Sequence, residues 1–171
     1  MRIIITGTPG TGKSTISKSL AKELKLELVD IKKIVMAKKL SNKKHEVDIR
    51  KLVGAMRSLK NKKNYLVEGH LACEFFIPAD FIIVLRTHPR VLQKRLKKRK
   101  YNKKKIQENI MTEMLDYCTQ RVIQIYKKKP LELDTSRRSP SSSIEEIKKA
   151  IKQKKKKIDS VDYSSLLVEG Y

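Results

Sequence analysis

The sequence predicts an α/β fold: a parallel sheet of five short strands with helices on both faces. Three observations lead there. Five apolar runs, Ile3–Ile5, Leu26–Val29, Tyr65–Val67, Phe81–Leu85 and Leu131–Leu133, alternate with segments of helical spacing, the pattern of parallel strands joined by crossovers. The first run leads straight into Gly7-Thr8-Pro9-Gly10-Thr11-Gly12-Lys13-Ser14, which satisfies G-x-x-x-x-G-K-[ST] at every fixed position. Finally, Asp30, Glu68, His70, Arg86 and Asp134 all fall at or just beyond strand ends. In such sheets, ligands bind beyond the carboxyl ends of the strands, where strand order reverses.

The elements follow in order. Arg2–Ile5 reads as a strand buried on both faces, because β-branched residues run on without alternation. Ser14–Leu24 places Ile16, Leu20, Ala21 and Leu24 on one helical stripe beside a lysine face. After the second strand, Ile31–Lys39 and Glu46–Leu59 read as two helices joined by the polar turn Ser41–Lys44. Pro89 opens a helix through Lys100, and Tyr101-Asn102 break it. A single long helix is predicted over Lys103–Lys128, from Ile106, Ile110, Met114, Val122 and Ile125. Ser142 and Glu145 match a capping box for a last helix over Ile144–Lys157, and 159–171 is either a docked tail or disordered. The whole is one domain over 1–158.

Bulk properties narrow the class. Lys+Arg number 41 against 18 Asp+Glu, a formal charge of +23 in 171 residues, which suits a partner rich in phosphate, nucleotide or RNA. A lysine-rich, heat-adapted surface is the competing explanation. No apolar run approaches the ~18 residues of a membrane span, and no leader precedes the first strand, so a cytoplasmic protein without membrane contact is expected. Cys73 and Cys118 are far apart in sequence and form no C-x-x-C pair, so buried or free thiols are expected.

The glycine-rich motif sets the chemistry, that of the P-loop NTPases. Gly7, Gly10 and Gly12 let successive backbone N–H groups turn toward phosphate oxygens, and the helix that follows adds its positive end. Lys13 reaches β- and γ-phosphates, and the Ser14 hydroxyl suits Mg²⁺. Arg95 and Arg99 are four apart on one predicted helix, so both can face the phosphates, and Arg86 can reach in from the fourth strand. No Asn-Lys-x-Asp guanine element is present. A polar helical pair after the second strand, and a short basic break after Leu96, stand where small kinases hold the acceptor and the lid.

GTPGTGKST, VEGH with Cys73, Phe75 and Phe76 after it, VLRT over Val84–Thr87, and RLKKRKYNKKKIQENI over Arg95–Ile110 together resemble the adenylate kinase isoenzyme 6 family. The resemblance covers about Arg2–Ile125. It implies a nucleoside monophosphate kinase with a short lid, converting ATP and AMP to two ADP with Mg²⁺, and with ATPase activity as well. It also implies a part in small-subunit (16S rRNA) maturation, with small-subunit ribosomal protein eleven as partner; the +23 charge adds pre-rRNA as a candidate partner. By position, Gly10, Gly12, Lys13, Ser14 and Thr15 would bind ATP. Arg99, in a lid over about 98–108, would contact its phosphates, and about 30–53 would take AMP or another nucleoside monophosphate. Glu68 stands where the family has an Asp, an acid that would hold Mg²⁺ through water or orient an attacking water, and His70 matches a histidine tied to hydrolysis or to coupling hydrolysis to a partner. Two departures stand out: Lys100 replaces the usual Gly after the lid arginine, and Met36, Lys38 and Lys39 stand where an acceptor-binding arginine is common. Arg50 or Arg57 could then take the acceptor phosphate. A cytidylate- or shikimate-type kinase, and an ATP-switched assembly factor with little kinase activity, are the alternatives.

Overall fold

The computed structural model describes residues 1–43 and 46–168. Its five strands, β1 (Arg2–Thr6), β2 (Glu27–Asp30), β3 (Tyr65–Glu68), β4 (Phe81–Arg86) and β5 (Leu131–Asp134), form one sheet in the order β2-β3-β1-β4-β5. Every pairing is parallel. β1 is central, so crossovers leave it in both directions and the order reverses at its carboxyl end. The glycine-rich loop begins there. Register aligns Ile5 with Glu68 and Asp30 with Glu68, which brings the strand-end acids beside the loop.

Both faces of the sheet are covered, which is why β1 and β4 read as unbroken apolar runs. On one face Ile4, Val67 and Val84 pack with Ile31 and Val35 of α2 (Ile31–Ala37), Leu52 of α3 (Ile49–Ala55) and Val122 of α6 (Tyr117–Tyr126). On the other, Ile3, Ile5, Ile83 and Leu85 pack with Ile16 and Leu20 of α1 (Lys13–Glu23) and Ile144 and Ile147 of α7 (Pro140–Lys152). A third cluster joins Leu92 and Leu96 of α4 (Pro89–Lys98) to Ile106, Ile110 and Met114 of α5 (Lys103–Met114). Tyr163 and the partly buried Val161, Leu166 and Leu167 seal this cluster, so the segment after residue 158 is docked as far as α8 (Ser165–Val168). Arg138 bridges Asp159, whose carboxylate also accepts from the Asp134 N–H at 2.8 Å, pinning the start of that segment. The rest of the expected tail, 169–171, and Lys44 of the expected turn lie outside the described residues.

Three element boundaries differ from the sequence reading. The long helix predicted over Lys103–Lys128 is two, because Asp116 adopts a left-handed conformation (φ 51°) and its side chain pairs with Arg86. The helix predicted over Glu46–Leu59 is α3 followed by a 3₁₀ turn at Arg57–Asn61; Gly54 weakens its last turn. The last helix starts at Pro140, with the Ser139 hydroxyl accepting from the Ser142 N–H at 3.1 Å, so Ser142 is a first-turn residue and not the cap. Among the described residues, no helix is long and apolar enough to cross a membrane.

Candidate active site

The loop between β1 and α1 owes its shape to positions that admit no side chain. Gly7 has φ 134°, and a Cβ there would lie 2.4 Å from the Leu85 carbonyl oxygen; at Gly10 (φ 99°) it would lie 2.7 Å from Leu92 Cδ1. With those side chains absent, the loop nests against β4 and α4, and α1 starts beyond it at Lys13. Lys13 is 9% exposed, and its ammonium donates to the carbonyls of Gly7 (2.7 Å) and Thr8 (3.0 Å). Burial lowers its pKa, against the pull of the Glu68 and Glu113 carboxylates.

Beside the loop, Ser14 Oγ donates to Glu68 Oε1 at 2.9 Å. The longer acid at this strand end therefore reaches the hydroxyl directly. Glu68 is buried, and desolvation together with the neighbouring Asp30 raises its pKa, while the Ser14 hydrogen bond works the other way. A hydroxyl and a carboxylate side by side at the mouth of a phosphate loop suit Mg²⁺, which takes few protein ligands and fills its octahedron with phosphate oxygens and water.

His70 opens a 3₁₀ turn at the end of β3, and its carbonyl accepts from Thr6 Oγ1 at 3.2 Å. Desolvation and the Lys13 charge lower its pKa to about 4. Solvent reaches the ring and moderates that shift, but any downward move leaves it neutral at pH 7.

On the far side of the loop lies a cleft of about 220 Å³, bordered by Gly10, Gly12, Thr15, Arg95, Arg99 and Thr135. Arg95 is positioned by the Thr135 carbonyl (2.7 Å) and the Thr135 hydroxyl (3.0 Å); burial and the charge of Arg99 lower its pKa. Arg99 is the exposed cap residue of α4. After it, Lys100 takes φ 58°, with its N–H donating to Lys97 O and the Tyr101 N–H to Leu96 O. This helix-ending motif favours glycine, which accounts for the glycine expected there. The segment 98–108, expected as a lid, comprises the end of α4, the turn after it and the first half of α5.

The structure therefore gathers Gly10, Gly12, Lys13, Ser14, Thr15, Glu68, Arg95 and Arg99 around one loop and its flanks. Three strand-end candidates have other tasks. Arg86 is 2% exposed and donates to Glu113 (2.8 Å), Glu132 (2.7 Å) and Asp116, so its guanidinium faces those carboxylates and not, as expected, a transferred phosphate. Burial acts to lower its pKa, but those carboxylates outweigh it and raise it. Asp30 caps α2 by accepting from the Lys33 N–H, and Asp134 accepts from the Ser136 N–H. Arg50 and Arg57 are exposed, one on α3 and the other on the 3₁₀ turn after it. Cys73 and Cys118 are free and buried. The sequence points to Thr135–Ser139, after β5, only as a candidate neighbour of adenine, and gives Thr8 and Glu113 no role; the only signal for Glu113 is a glutamate on the apolar stripe of a basic helix.

Comparison with known proteins agrees with this geometry. The family model described as "AAA domain" matches residues 3–116. Proteins named "Putative adenylate kinase" are 36% identical in Thermococcus onnurineus and 39% in Methanocaldococcus jannaschii, each over 96% of this chain and 92% and 93% of theirs. Among solved structures, shikimate kinase from Acinetobacter baumannii in complex with shikimate superposes with TM-score 0.68 at 18% identity, over 90% of this chain and 94% of that one. Deoxyadenosine kinase from M. mycoides with bound dATP does so with TM-score 0.57 at 18% identity, over 89% and 100%. At those identities the superpositions speak for the P-loop kinase fold. A family model matched over residues 3–116 makes this chain a member of that AAA-domain family, and over nearly its whole length it is more than a third identical to archaeal proteins named "Putative adenylate kinase".

Proposed function

We propose that this protein transfers the γ-phosphoryl group of ATP to a nucleoside monophosphate, AMP foremost, giving two ADP. The observation that carries this reading is the Ser14–Glu68 hydrogen bond beside a loop holding a buried lysine, with Arg95 and Arg99 over the adjoining cleft. An oxygen of the AMP phosphate attacks the γ-phosphorus, the bond to the β,γ-bridging oxygen breaks, and ADP leaves. Such a transfer needs positioning and positive charge more than covalent catalysis. Loop amides and Lys13 take the β- and γ-phosphates, Arg99 the phosphates from the side, and Thr15 and Arg95 border the nucleoside. Ser14, and Glu68 through water, would hold Mg²⁺, which would supply positive charge against the phosphates. The acceptor sits over the segment 30–53, with Arg50 or Arg57 on its phosphate. Names of the archaeal relatives support the choice of acceptor.

A lid this short excludes water poorly, so ATP hydrolysis without AMP belongs to the same reading, with neutral His70 beside the attacking water. The test is ADP formation from ATP, with and without AMP, for the parent, Lys13→Ala and His70→Ala. Kinase activity predicts AMP-stimulated ADP that Lys13→Ala abolishes; parent turnover indifferent to Lys13→Ala overturns the assignment.

One further observation favours a role in small-subunit assembly, near pre-rRNA and ribosomal protein eleven. Nine basic residues fall within Lys94–Lys105, and no acid lies between Asp80 and Glu108. Eight of the nine are exposed. Such a surface suits an RNA backbone, and affinity for RNA is expected to fall ~10³-fold between 50 and 200 mM salt if about six phosphates are engaged.

A further inference from the structure

Thr8 is a variable position of the phosphate loop, yet it is 1% exposed and tied on both sides. Its carbonyl accepts from the Lys13 ammonium (3.0 Å), the Thr11 hydroxyl (2.9 Å) and the Thr11 N–H (3.3 Å). Its hydroxyl donates to Glu113, a residue 2% exposed on α5 and 105 positions away in sequence. Glu113 is itself fixed from the other side: Oε1 accepts from Arg86 Nε at 2.8 Å and from the Thr87 N–H at 2.9 Å. A buried carboxylate with three donors has one orientation, and a loop hung on it has one height above the sheet.

We infer that Glu113 is a positioning residue for the phosphoryl-transfer site: through the Thr8 hydroxyl it sets the height of the phosphate loop and the aim of Lys13. Arg86, expected at the transferred phosphate, acts instead two bonds back, by holding Glu113. At 2% exposure the carboxylate lies out of a substrate's reach. It determines where the Thr8 carbonyl stands, and that carbonyl holds both the ammonium and the Thr11 turn. Because α5 is capped by Asn102 at the turn after α4, one helix connects that turn to the loop.

The inference rests on the ATP reading of the loop, and the experiment separates the two. Calorimetry measures the Kd of a non-hydrolysable Mg·ATP analogue for the parent, Thr8→Val, Thr8→Ser, Glu113→Gln and the Thr8→Val/Glu113→Gln double variant. Circular dichroism and thermal melts run on the same samples. Thr8→Val keeps shape and loses the donor, so Kd is expected to rise about tenfold while the folded signal is unchanged. Thr8→Ser returns the hydroxyl and is expected to restore affinity to within about threefold. The double variant is expected to bind no worse than the weaker single one, since both break one link. A Thr8→Val protein binding like the parent, or two effects that multiply, overturns the positioning role while leaving the ATP reading intact. A folded parent that binds no analogue overturns both.

Discussion

Replacing Arg86 with methionine separates a buried ion cluster from the chemistry it borders. The guanidinium makes three ion pairs, to Glu113, Asp116 and Glu132, and a further hydrogen bond to the Glu113 carbonyl at 3.0 Å. Methionine fills much of the same space, so the loss is chiefly the counter-ion of three carboxylates. Removing one partner of a buried pair costs ~3–5 kcal/mol. The side chains of Asp116 and Glu132 are 23% and 17% exposed, so both regain some hydration, whereas Glu113 at 2% regains none. That places the loss near the lower end, about 3 kcal/mol, or ~6–12 °C in Tm for a domain of this size. The pH dependence has a definite sign. Burial already raises the pKa of Asp116 against the pull of Arg86, and without that charge the folded state holds a proton more readily. A folded-state pKa above the unfolded value adds stability as pH falls, so the deficit of Arg86→Met shrinks from pH 7 toward pH 4. Urea unfolding at both pH values, followed by circular dichroism, reads this directly. A loss under about 1 kcal/mol at pH 7, together with a fall of more than ~10²-fold in kcat, refutes the reasoning and returns Arg86 to catalysis.

Other expectations are simpler. Lys100→Gly removes the strain of a left-handed lysine at the end of α4 and is expected to stabilise by ~0.5–1 kcal/mol; a lower Tm contradicts the helix-ending motif. Asp159→Asn weakens the clasp between the late segment and β5. Burial of Asp159 raises its pKa, but the Arg138 and Asp134 hydrogen bonds outweigh it and hold it below 3.8. The clasp is therefore fully present above pH ~4 and is lost as pH falls through the depressed folded value. Hydrogen exchange of residues 160–168 is expected to be faster in Asp159→Asn than in the parent at pH 7; equal protection refutes the clasp. Glu68→Gln is expected to raise the Mg²⁺ concentration for half-maximal turnover about tenfold or more, read by titration at fixed ATP, and an unchanged requirement removes Glu68 from the metal.

The phosphate loop, the five strands and the strand-end acid were legible because each is local: an apolar run, a glycine spacing, an acid one residue past a strand. What stayed hidden depends on residues far apart in sequence. Arg86 looks like a site arginine until Glu113, Asp116 and Glu132 converge on it. Those partners also bend the chain at Asp116, which is why an uninterrupted helical pattern over 103–128 folds as two helices. Ser139 and Ser142 both carry a capping hydroxyl, and Pro140, which suits the first helical position, decides for Ser139. Glu68 is one methylene longer than the family's Asp, and sequence alone does not show that this length brings its carboxylate within 2.9 Å of the Ser14 hydroxyl.

The docked segment after β5 has a bearing on how the chain assembles. Tyr163 lies over the Arg86 guanidinium at 5.4 Å and edge-on to His88, and with Leu166 and Leu167 it shuts the outer side of α4 and α5. All five strands are synthesised before these residues. During growth the sheet can pair and the loop can turn, while Leu92, Leu96 and Ile110 stay partly wet until the closing residues arrive. A nascent chain halted near residue 158 is then a nearly finished kinase fold with one greasy flank, a form suited to capture by chaperones and prone to self-association.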